Sequence, residues 1–162
     1  MKQLILVRHG KSSWEYEVGD KDRPLKQRGI RDAKLVAERF KEHNIAIEAI
    51  YSSPANRALH TCTIFLRELQ LPEDNFNLAT ELYDFSGEQV MQFILGLPNH
   101  LNTVMICGHN YAFTELAKSL GDTAVENVPT TGLVHLKFAA NTWQTIDNGA
   151  TIQTIFPKAL KG

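Results

Sequence analysis

One short segment near the start of the chain constrains the fold more than any other. Residues 3–7 (Gln-Leu-Ile-Leu-Val) are mostly apolar and partly β-branched, and Arg8, His9 and Gly10 follow them directly. A run of this length and composition predicts a buried strand of a parallel sheet. In open α/β sheets, ligands bind just outside the carboxyl ends of the strands. The sequence therefore places Arg8 and His9 where a ligand would bind.

These residues have the chemistry of a phosphate site. Arginine offers phosphate oxygens a planar, permanently charged fork of donors. Histidine is a nitrogen nucleophile that is largely neutral near pH 7. Gly10 allows the backbone to turn sharply and to approach an anion. The alternative is that Arg8 and His9 only cap the end of a strand, and this tripeptide alone does not decide between the two.

Strand-like and helix-like segments alternate along the rest of the chain. Apolar residues at helical spacing predict helices at 29–43, from Pro54 in the first helical position to Leu69, at 90–97 and at 113–120. Strands are predicted at 45–51, within 76–83, at 103–107, at 132–138 and within 142–156. Residues 12–26 have no clean period, and we interpret them as a loop able to fold over the strand end. This alternation predicts a layered α/β domain.

Composition and charge narrow the classes of function. The chain has 162 residues, of which 43% are hydrophobic and 22% are charged, and we expect residues 1–162 to form one domain. Its net charge of -1 provides no overall field that would recruit nucleic acid or an anionic membrane, so neither partner is expected. Any affinity for phosphate must therefore come from charged side chains clustered at one site.

The sequence also predicts a location and a redox state. No signal peptide or membrane span is visible, because Arg8 interrupts the opening apolar run. We therefore expect a cytoplasmic protein. Cys62 and Cys107 lie in apolar segments, and we expect them to be reduced core thiols rather than a disulfide, metal ligands or a nucleophile.

Two further junctions between a strand and a helix carry similar residues. Arg57 lies in the first turn of the helix predicted after Pro54, where anions bind but a cation is unfavourable. This position indicates a nearby anion, and the alternative is an arginine that points into water. His109 follows the strand at 103–107, and the alternative for it is a buried, hydrogen-bonded histidine.

Two histidines and two arginines at strand ends favour a pocket for a phosphate dianion, with one histidine free to attack phosphorus. A metal site is the competing interpretation, since imidazole is a frequent metal ligand. It would require a further nitrogen, sulfur or carboxylate ligand, and the two arginines would repel the cation. We therefore expect no metal.

Motifs spread over nearly the whole chain resemble the histidine phosphatase superfamily, also called phosphoglycerate mutase-like. They are Leu6-Val7-Arg8-His9-Gly10, Ser52-Ser53-Pro54 with Arg57 and Thr61, and Gly108-His109-Asn110. Within that superfamily, residues 8–14, Asp22-Arg23-Pro24-Leu25 with Arg28-Gly29, and Glu81-Leu82-Tyr83 resemble the small SixA-type phosphohistidine phosphatases. The resemblance implies a three-layer α/β/α fold with a mostly parallel central sheet and a minimal cap.

The resemblance also implies roles for individual residues. His9 matches the nucleophile, which becomes phosphorylated and is then hydrolysed, and Arg8, Arg57 and His109 match the rest of the phosphate pocket. A phosphoryl transition state spreads negative charge over its oxygens, so fixed cations lower its barrier. His109 would add a third cation if protonated, whereas His9 must be neutral, with its other nitrogen donating to a backbone carbonyl. No cofactor is implied.

The acid that protonates the leaving group is the least defined role. In the superfamily a carboxylate after the third strand region often serves, and Asp84 and Glu81 both lie there, with Asp84 favoured. The alternative is that both are surface carboxylates. A phosphohistidine makes a smaller demand on this acid, because imidazole leaves far more easily than an alkoxide.

Residues beside these motifs receive lesser predictions. Lys11 and Ser12 follow the nucleophile, and we expect them either to bind phosphate or to cap the turn. Arg23 and Arg28 would extend the positive rim of the pocket, although solvated surface is the preferred interpretation for both.

The spacing of the motifs bears on the substrate. Larger members of the superfamily insert a cap of helices before the second histidine, but here only residues 78–108 separate Asn77 from His109. We therefore expect a shallow, open site, which suits a phosphorylated protein side chain better than a small metabolite. The sequence predicts a phosphohistidine phosphatase acting on proteins. The alternatives are a small-molecule phosphomonoesterase or mutase of the same mechanism, acting on a small phosphate ester, and a non-enzymatic phosphate-binding module.

Overall fold

Six strands form a single sheet in the computed structural model, which describes residues 1–161. The strands are β1 (Lys2–Arg8), β2 (Ala49–Ser52), β3 (Phe76–Leu78), β4 (Thr103–Gly108), β5 (Leu133–Phe138) and β6 (Ala150–Ile155). The α-helices are α1 (Gln27–Lys41), α2 (Asn56–Glu68), α3 (Glu88–Leu95), α4 (Ala112–Leu120) and the short α5 (Pro157–Leu160).

The strand order β3-β2-β4-β1-β5-β6 explains how distant residues meet. The first four strands in this order are parallel, and β5 and β6 are antiparallel at one edge. In the register of the sheet, Arg8 lies beside Gly108, and Ser52 lies beside Cys107. The carboxyl ends of β1, β2 and β4 therefore lie side by side, and the residues that follow them are close in space. In sequence, the ends of β2 and β4 are about fifty and a hundred positions from the end of β1.

Helices cover both faces of the sheet. Leu4 and Leu6 of β1 face α3 and α4, whereas Ile5 and Val7 face α1 and α2. Because both faces of β1 are buried, its sequence is a continuous apolar run rather than an alternating one. The predicted three-layer α/β/α arrangement with a mostly parallel sheet is confirmed.

Some predicted boundaries were wrong. Helix α2 begins at Asn56, with Ala55 in extended backbone before it, rather than at Pro54. The Ser53 hydroxyl accepts a hydrogen bond from the Ala55 N–H over 3.2 Å, and its other contact is the ring of His109. This local hydrogen bond competes with the helix and delays its start.

The loop at 12–26 folds over the carboxyl end of β1, in agreement with the prediction. An isolated bridge joins Ser12 to Leu25, and the Lys26 N–H donates to the Lys11 carbonyl over 2.8 Å. A 3-10 turn, Asp20–Asp22, lies within this loop. Within residues 1–161, the helices are all too short or too polar to span a membrane.

Candidate active site

The ends of β1 and β4 bring the two predicted histidines together. The ring centroids of His9 and His109 are 5.2 Å apart, with an angle of 54° between the rings. Both residues are buried, as is Arg57, which is only 3% exposed. The tertiary fold therefore clusters the residues that the sequence singled out.

His9 is held in the form that a nucleophile requires. Its Nδ1 lies 2.8 Å from the carbonyl oxygen of Gly10. Because a carbonyl only accepts, Nδ1 carries the proton and Nε2 of the neutral ring keeps its lone pair. Burial lowers the pKa of His9 to about 4, and the charges of Arg57 and Arg8 act in the same direction, against the Gly10 hydrogen bond. His9 is therefore neutral near pH 7, and the predicted donation to a backbone carbonyl is confirmed.

Two guanidinium groups, the half-buried one of Arg8 and the buried one of Arg57, lie beside His9, and each has a buried Nε–H donor that is not used. Arg8 donates from Nη1 to the Val128 carbonyl over 3.0 Å, and its Nε has no hydrogen-bond partner among the described residues. The terminal nitrogens of Arg57 are both bonded, but its buried Nε also lacks a partner within residues 1–161. Buried donors without partners are costly, so this pair favours an anion as the missing acceptor.

Both ring nitrogens of His109 have partners in the cluster. Its Nε2 lies 2.8 Å from the Ser53 hydroxyl, and its Nδ1 lies 3.5 Å from Nη2 of Arg57. Burial lowers the pKa of His109 to about 3, and His9 and Arg57 add to the effect. It is therefore neutral in the ligand-free protein rather than a third cation, because the surrounding positive charge and the loss of water oppose its protonation.

Arg8, His9 and Arg57 open onto a small cavity of about 200 Å³ at the strand ends, whereas His109 is not among the residues that line it. Its lining consists of Arg8, His9, Lys11, Ser12, Trp14, Arg23, Arg57 and Thr130. Lys11 and Ser12 thus lie where the sequence placed them. The Ser12 hydroxyl already accepts a hydrogen bond from Arg23, so contact of either residue with phosphate stays a prediction.

A glycine at position 10 is needed for packing rather than for an unusual backbone angle. A Cβ added to Gly10 would lie 3.0 Å from the carbonyl oxygen of Gly29, and one added to Gly29 would lie 2.5 Å from that of Lys11. The Gly10 N–H donates to the Thr61 hydroxyl over 2.9 Å, and that hydroxyl donates to the Arg57 carbonyl over 2.8 Å. This chain of contacts fixes the end of β1 against the first turns of α1 and α2.

A comparison with known families agrees with this geometry. Residues 4–84, half of the 162 residues, match the model of the histidine phosphatase superfamily (branch 1). The chain belongs to the histidine phosphatase superfamily.

The chain is also similar to individual proteins and to solved structures. The chain is 36% identical over 87 residues to a 2,3-bisphosphoglycerate-dependent phosphoglycerate mutase of Bradyrhizobium sp., covering 51% of this chain and 42% of the mutase. It superposes on the protein histidine phosphatase SixA complexed with tungstate with a TM-score of 0.82 at 23% identity, covering 98% of this chain and 99% of the other. For a mycobacterial glucosyl-3-phosphoglycerate phosphatase the TM-score is 0.66 at 13% identity, with 96% and 98% covered. The superpositions establish a phosphoglycerate mutase-like fold, and the superfamily supports a phosphatase with a histidine mechanism.

Asp84 makes hydrogen bonds to the start of α3 that the sequence did not predict. Its Oδ2 accepts the backbone N–H groups of Gly87, Gln89 and Val90 at 3.0 to 3.1 Å, and its Oδ1 accepts the backbone N–H and the hydroxyl of Ser86. Although burial raises the pKa of Asp84, these hydrogen bonds lower it overall. Asp84 is therefore an ionised cap of α3, and the structure does not support it as a proton donor.

The other candidate acid, Glu81, is exposed and accepts a hydrogen bond from the Thr80 hydroxyl over 3.0 Å. It does not line the cavity.

Arg23 belongs to the cavity rather than to the solvated surface, which corrects the preferred interpretation from the sequence. It is 8% exposed, donates to the Ser12 hydroxyl and the Ser13 carbonyl, and lies 3.3 Å from the ring centroid of Trp14. Arg28 does have an exposed side chain, at 59%. The two arginines differ because residues 12–14 at the start of the loop pack against Arg23 near its end, whereas Arg28 lies on the exposed side of α1.

Three residues near the site were missed as functional candidates. Asp20 and Tyr83 bond to each other, and Tyr83 packs edge-on against His109 with 5.4 Å between the ring centroids. Ser53 was named only as part of the Ser52-Ser53-Pro54 motif, without a role of its own. The Asp-x-x-Arg spacing from Asp20 to Arg23 is a weak signal that could have pointed to the loop.

The pKa of His9 leads to a prediction about pH dependence. A lowered histidine pKa means that His9, the predicted nucleophile, stays neutral until the pH approaches about 4, instead of losing its lone pair near the ordinary value of 6.5. We expect the acid limb of kcat/KM, which reports the free enzyme, to fall near pH 4. Steady-state kinetics across the acid and neutral range would measure it, with substrate ionisation followed by phosphorus NMR and folding by circular dichroism. A limb near 6.5, after those corrections, would contradict the geometry described for His9.

Proposed function

We propose that this chain is a phosphohistidine phosphatase that acts on proteins, with His9 as its nucleophile and residues 1–162 as one domain. The observation that carries the proposal is the pair of buried Nε–H donors on Arg8 and Arg57 beside the free Nε2 of neutral His9. A phosphoryl group supplies acceptor oxygens for both donors and an electrophilic phosphorus for the ring nitrogen.

The proposed reaction has two displacement steps. The lone pair on His9 Nε2 attacks phosphorus, the bond from phosphorus to the leaving nitrogen breaks, and the leaving imidazole keeps that electron pair and takes a proton from solvent. Water then attacks phosphorus and gives up a proton to solvent, and the bond to Nε2 breaks to release phosphate and neutral His9. Arg8 and Arg57 stabilise the charge on the phosphoryl oxygens in both steps.

The absence of a suitable acid favours a phosphoramidate substrate. No carboxyl group is found among the described residues that line the cavity. Asp84 is bonded to the start of α3, and Asp20, the carboxylate nearest to Arg57, has a pKa of about 2 and is ionised. An alkoxide leaving group would require a proton donor here. An imidazole leaves without one, so phosphohistidine suits this site better than an alkyl phosphate.

The shape of the cavity favours a protein over a small metabolite. At about 200 Å³ it has room for a phosphoryl group and little more, which is below the range typical of enclosed small-molecule pockets. Trp14 at its edge is 77% exposed. A side chain that projects from a protein surface reaches such a site, whereas a free metabolite would leave most of its surface in water.

The proposal is tested by comparing kcat/KM for a phosphohistidine-containing protein with the values for sugar phosphates and 3-phosphoglycerate. We expect the phosphohistidine substrate to be preferred by at least about a hundredfold, equivalent to about 3 kcal/mol of transition-state stabilisation. A matched incubation without enzyme is the control, because phosphoramidates hydrolyse spontaneously. A preference for the sugar phosphates would reject the protein substrate and favour a small-molecule phosphomonoesterase or mutase.

A further inference from the structure

The guanidinium group of Arg57 is held by a residue outside the predicted phosphate pocket. Arg57 Nη1 donates to the backbone carbonyl of Asp20 over 2.7 Å, and Nη2 donates to the carboxylate Oδ2 of Asp20 over 3.0 Å. One residue therefore fixes both terminal nitrogens. Because the guanidinium group is planar and its donors have a rigid geometry, fixing these two nitrogens also fixes the direction of the Nε–H bond.

Asp20 is itself held by two further donors, one in its own loop and one after β3. Its carboxylate accepts hydrogen bonds from Nη1 of Arg23, over 3.2 Å, and from the hydroxyl of Tyr83. The Tyr83 ring in turn packs edge-on against His109. The carboxylate thus connects the loop at 12–26, helix α2 and the segment after β3, although 42% of its side chain is exposed.

These contacts keep the carboxylate charged. Burial raises the pKa of Asp20, but the hydrogen bonds from Tyr83 and Arg57 outweigh it and hold the pKa at about 2. An ionised acceptor forms stronger hydrogen bonds to a guanidinium group than a neutral one.

We propose that Asp20 is a positioning residue: it holds Arg57 so that the free Nε–H is directed at the phosphoryl group, and Tyr83 holds Asp20 in place. The inference rests on the proposed function, in which Arg57 binds phosphoryl oxygens. A competing arrangement is that the Asp20 carboxylate occupies donors that the substrate needs and must be displaced. The two arrangements predict opposite effects of removing the carboxylate.

Substitutions at Asp20 distinguish the two arrangements. We expect Asp20→Ala to lower kcat by on the order of tenfold to a hundredfold, because a misdirected Nε–H stabilises the transition state less well. Asp20→Asn keeps an oxygen acceptor at the same place, so it should recover most of that loss. Asp22→Ala, at an exposed carboxylate in the same 3-10 turn, is the matched control and should leave kcat unchanged. A rise in kcat/KM in Asp20→Ala would overturn the proposal in favour of displacement.

A double-mutant cycle tests whether Asp20 acts through Arg57. If it does, Asp20→Ala should cause no further loss in an enzyme that already carries Arg57→Ala. Losses that multiply would show that Asp20 acts independently and would overturn the inference. Loss of activity in Arg57→Ala with full activity in Asp20→Ala would overturn this inference alone, whereas full activity in Arg57→Ala would reject the proposed function of the pocket.

Side-chain NMR gives a readout that does not depend on catalysis. With both terminal nitrogens bonded, the Arg57 guanidinium should rotate slowly and give separate Nη–H signals. We expect these signals to merge in Asp20→Ala and to stay separate in Asp22→Ala. In Tyr83→Phe, which keeps the ring and removes the donor, we expect the separation between the signals to decrease. Separate signals that persist in Asp20→Ala would overturn the positioning role, whether or not the chain hydrolyses phosphohistidine.

Discussion

Replacing His9 with glutamine is expected to abolish turnover, lowering kcat by at least about a thousandfold, because the covalent intermediate of the proposed reaction forms on Nε2 of His9. Glutamine fills a similar volume in a buried position and retains a polar group, so the fold should persist. The measurement combines steady-state kinetics with a rapid alkaline quench after mixing with labelled substrate. Wild-type protein should carry label at residue 9, and His9→Gln should carry none.

His60→Gln is the matched control for this prediction. His60 is exposed on α2, so its replacement should change neither turnover nor labelling. Retention of turnover or of label in His9→Gln would show that another residue is the nucleophile. The nucleophile assigned here would then be wrong, whatever the substrate.

The second large effect is expected at Arg57. Arg57→Ala should lower kcat/KM by roughly a hundredfold to a thousandfold, the usual cost of removing one fixed donor to a developing negative charge. Arg57→Lys should recover little of this loss, because a lysine ammonium cannot contact Asp20 through two nitrogens and the phosphoryl group through a third. Steady-state kinetics and the affinity for inorganic phosphate, measured by calorimetry, would test both variants.

The control for Arg57 is Arg67→Ala, at an exposed arginine near the end of the same helix. It removes the same charge and should leave kcat/KM unchanged. Thermal unfolding should be measured for each variant, because Arg57 is buried and its loss also removes two hydrogen bonds to Asp20. If the affinity for phosphate and kcat/KM both survived in Arg57→Ala, the pocket would not be a phosphate site.

The elements of the fold followed from local patterns. The apolar runs of β1 and β4 and the helical spacing in α1 and α4 are periodic signals, and the structure places elements there within a few residues. The boundary prediction failed where a side-chain hydrogen bond competed with the helical pattern. The Ser53 hydroxyl, which contacts His109, also bonds to the Ala55 N–H, and α2 consequently begins at Asn56.

Local patterns likewise identified some residues of the predicted site and left others unassigned. Arg8, His9, Arg57 and His109 could be found because they follow strand ends or begin helices, and sheet topology brings such positions together. Asp84 could not be assigned, because its position after β3 is compatible with both an acid and a helix cap. The five hydrogen bonds that its carboxylate accepts in the structure show that it caps α3.

Local patterns in the sequence are enough to predict a layered α/β chain of the histidine phosphatase superfamily and to single out the four side chains of the proposed phosphate pocket. The folded structure was needed to show that Arg23 is buried, that His109 is neutral, and that Arg57 bonds to Asp20. The physical reason is that strands, helices and their ends are encoded in neighbouring residues. The charge and direction of a buried side chain depend instead on partners far along the chain: Asp20 lies 37 positions from Arg57 and 63 from Tyr83.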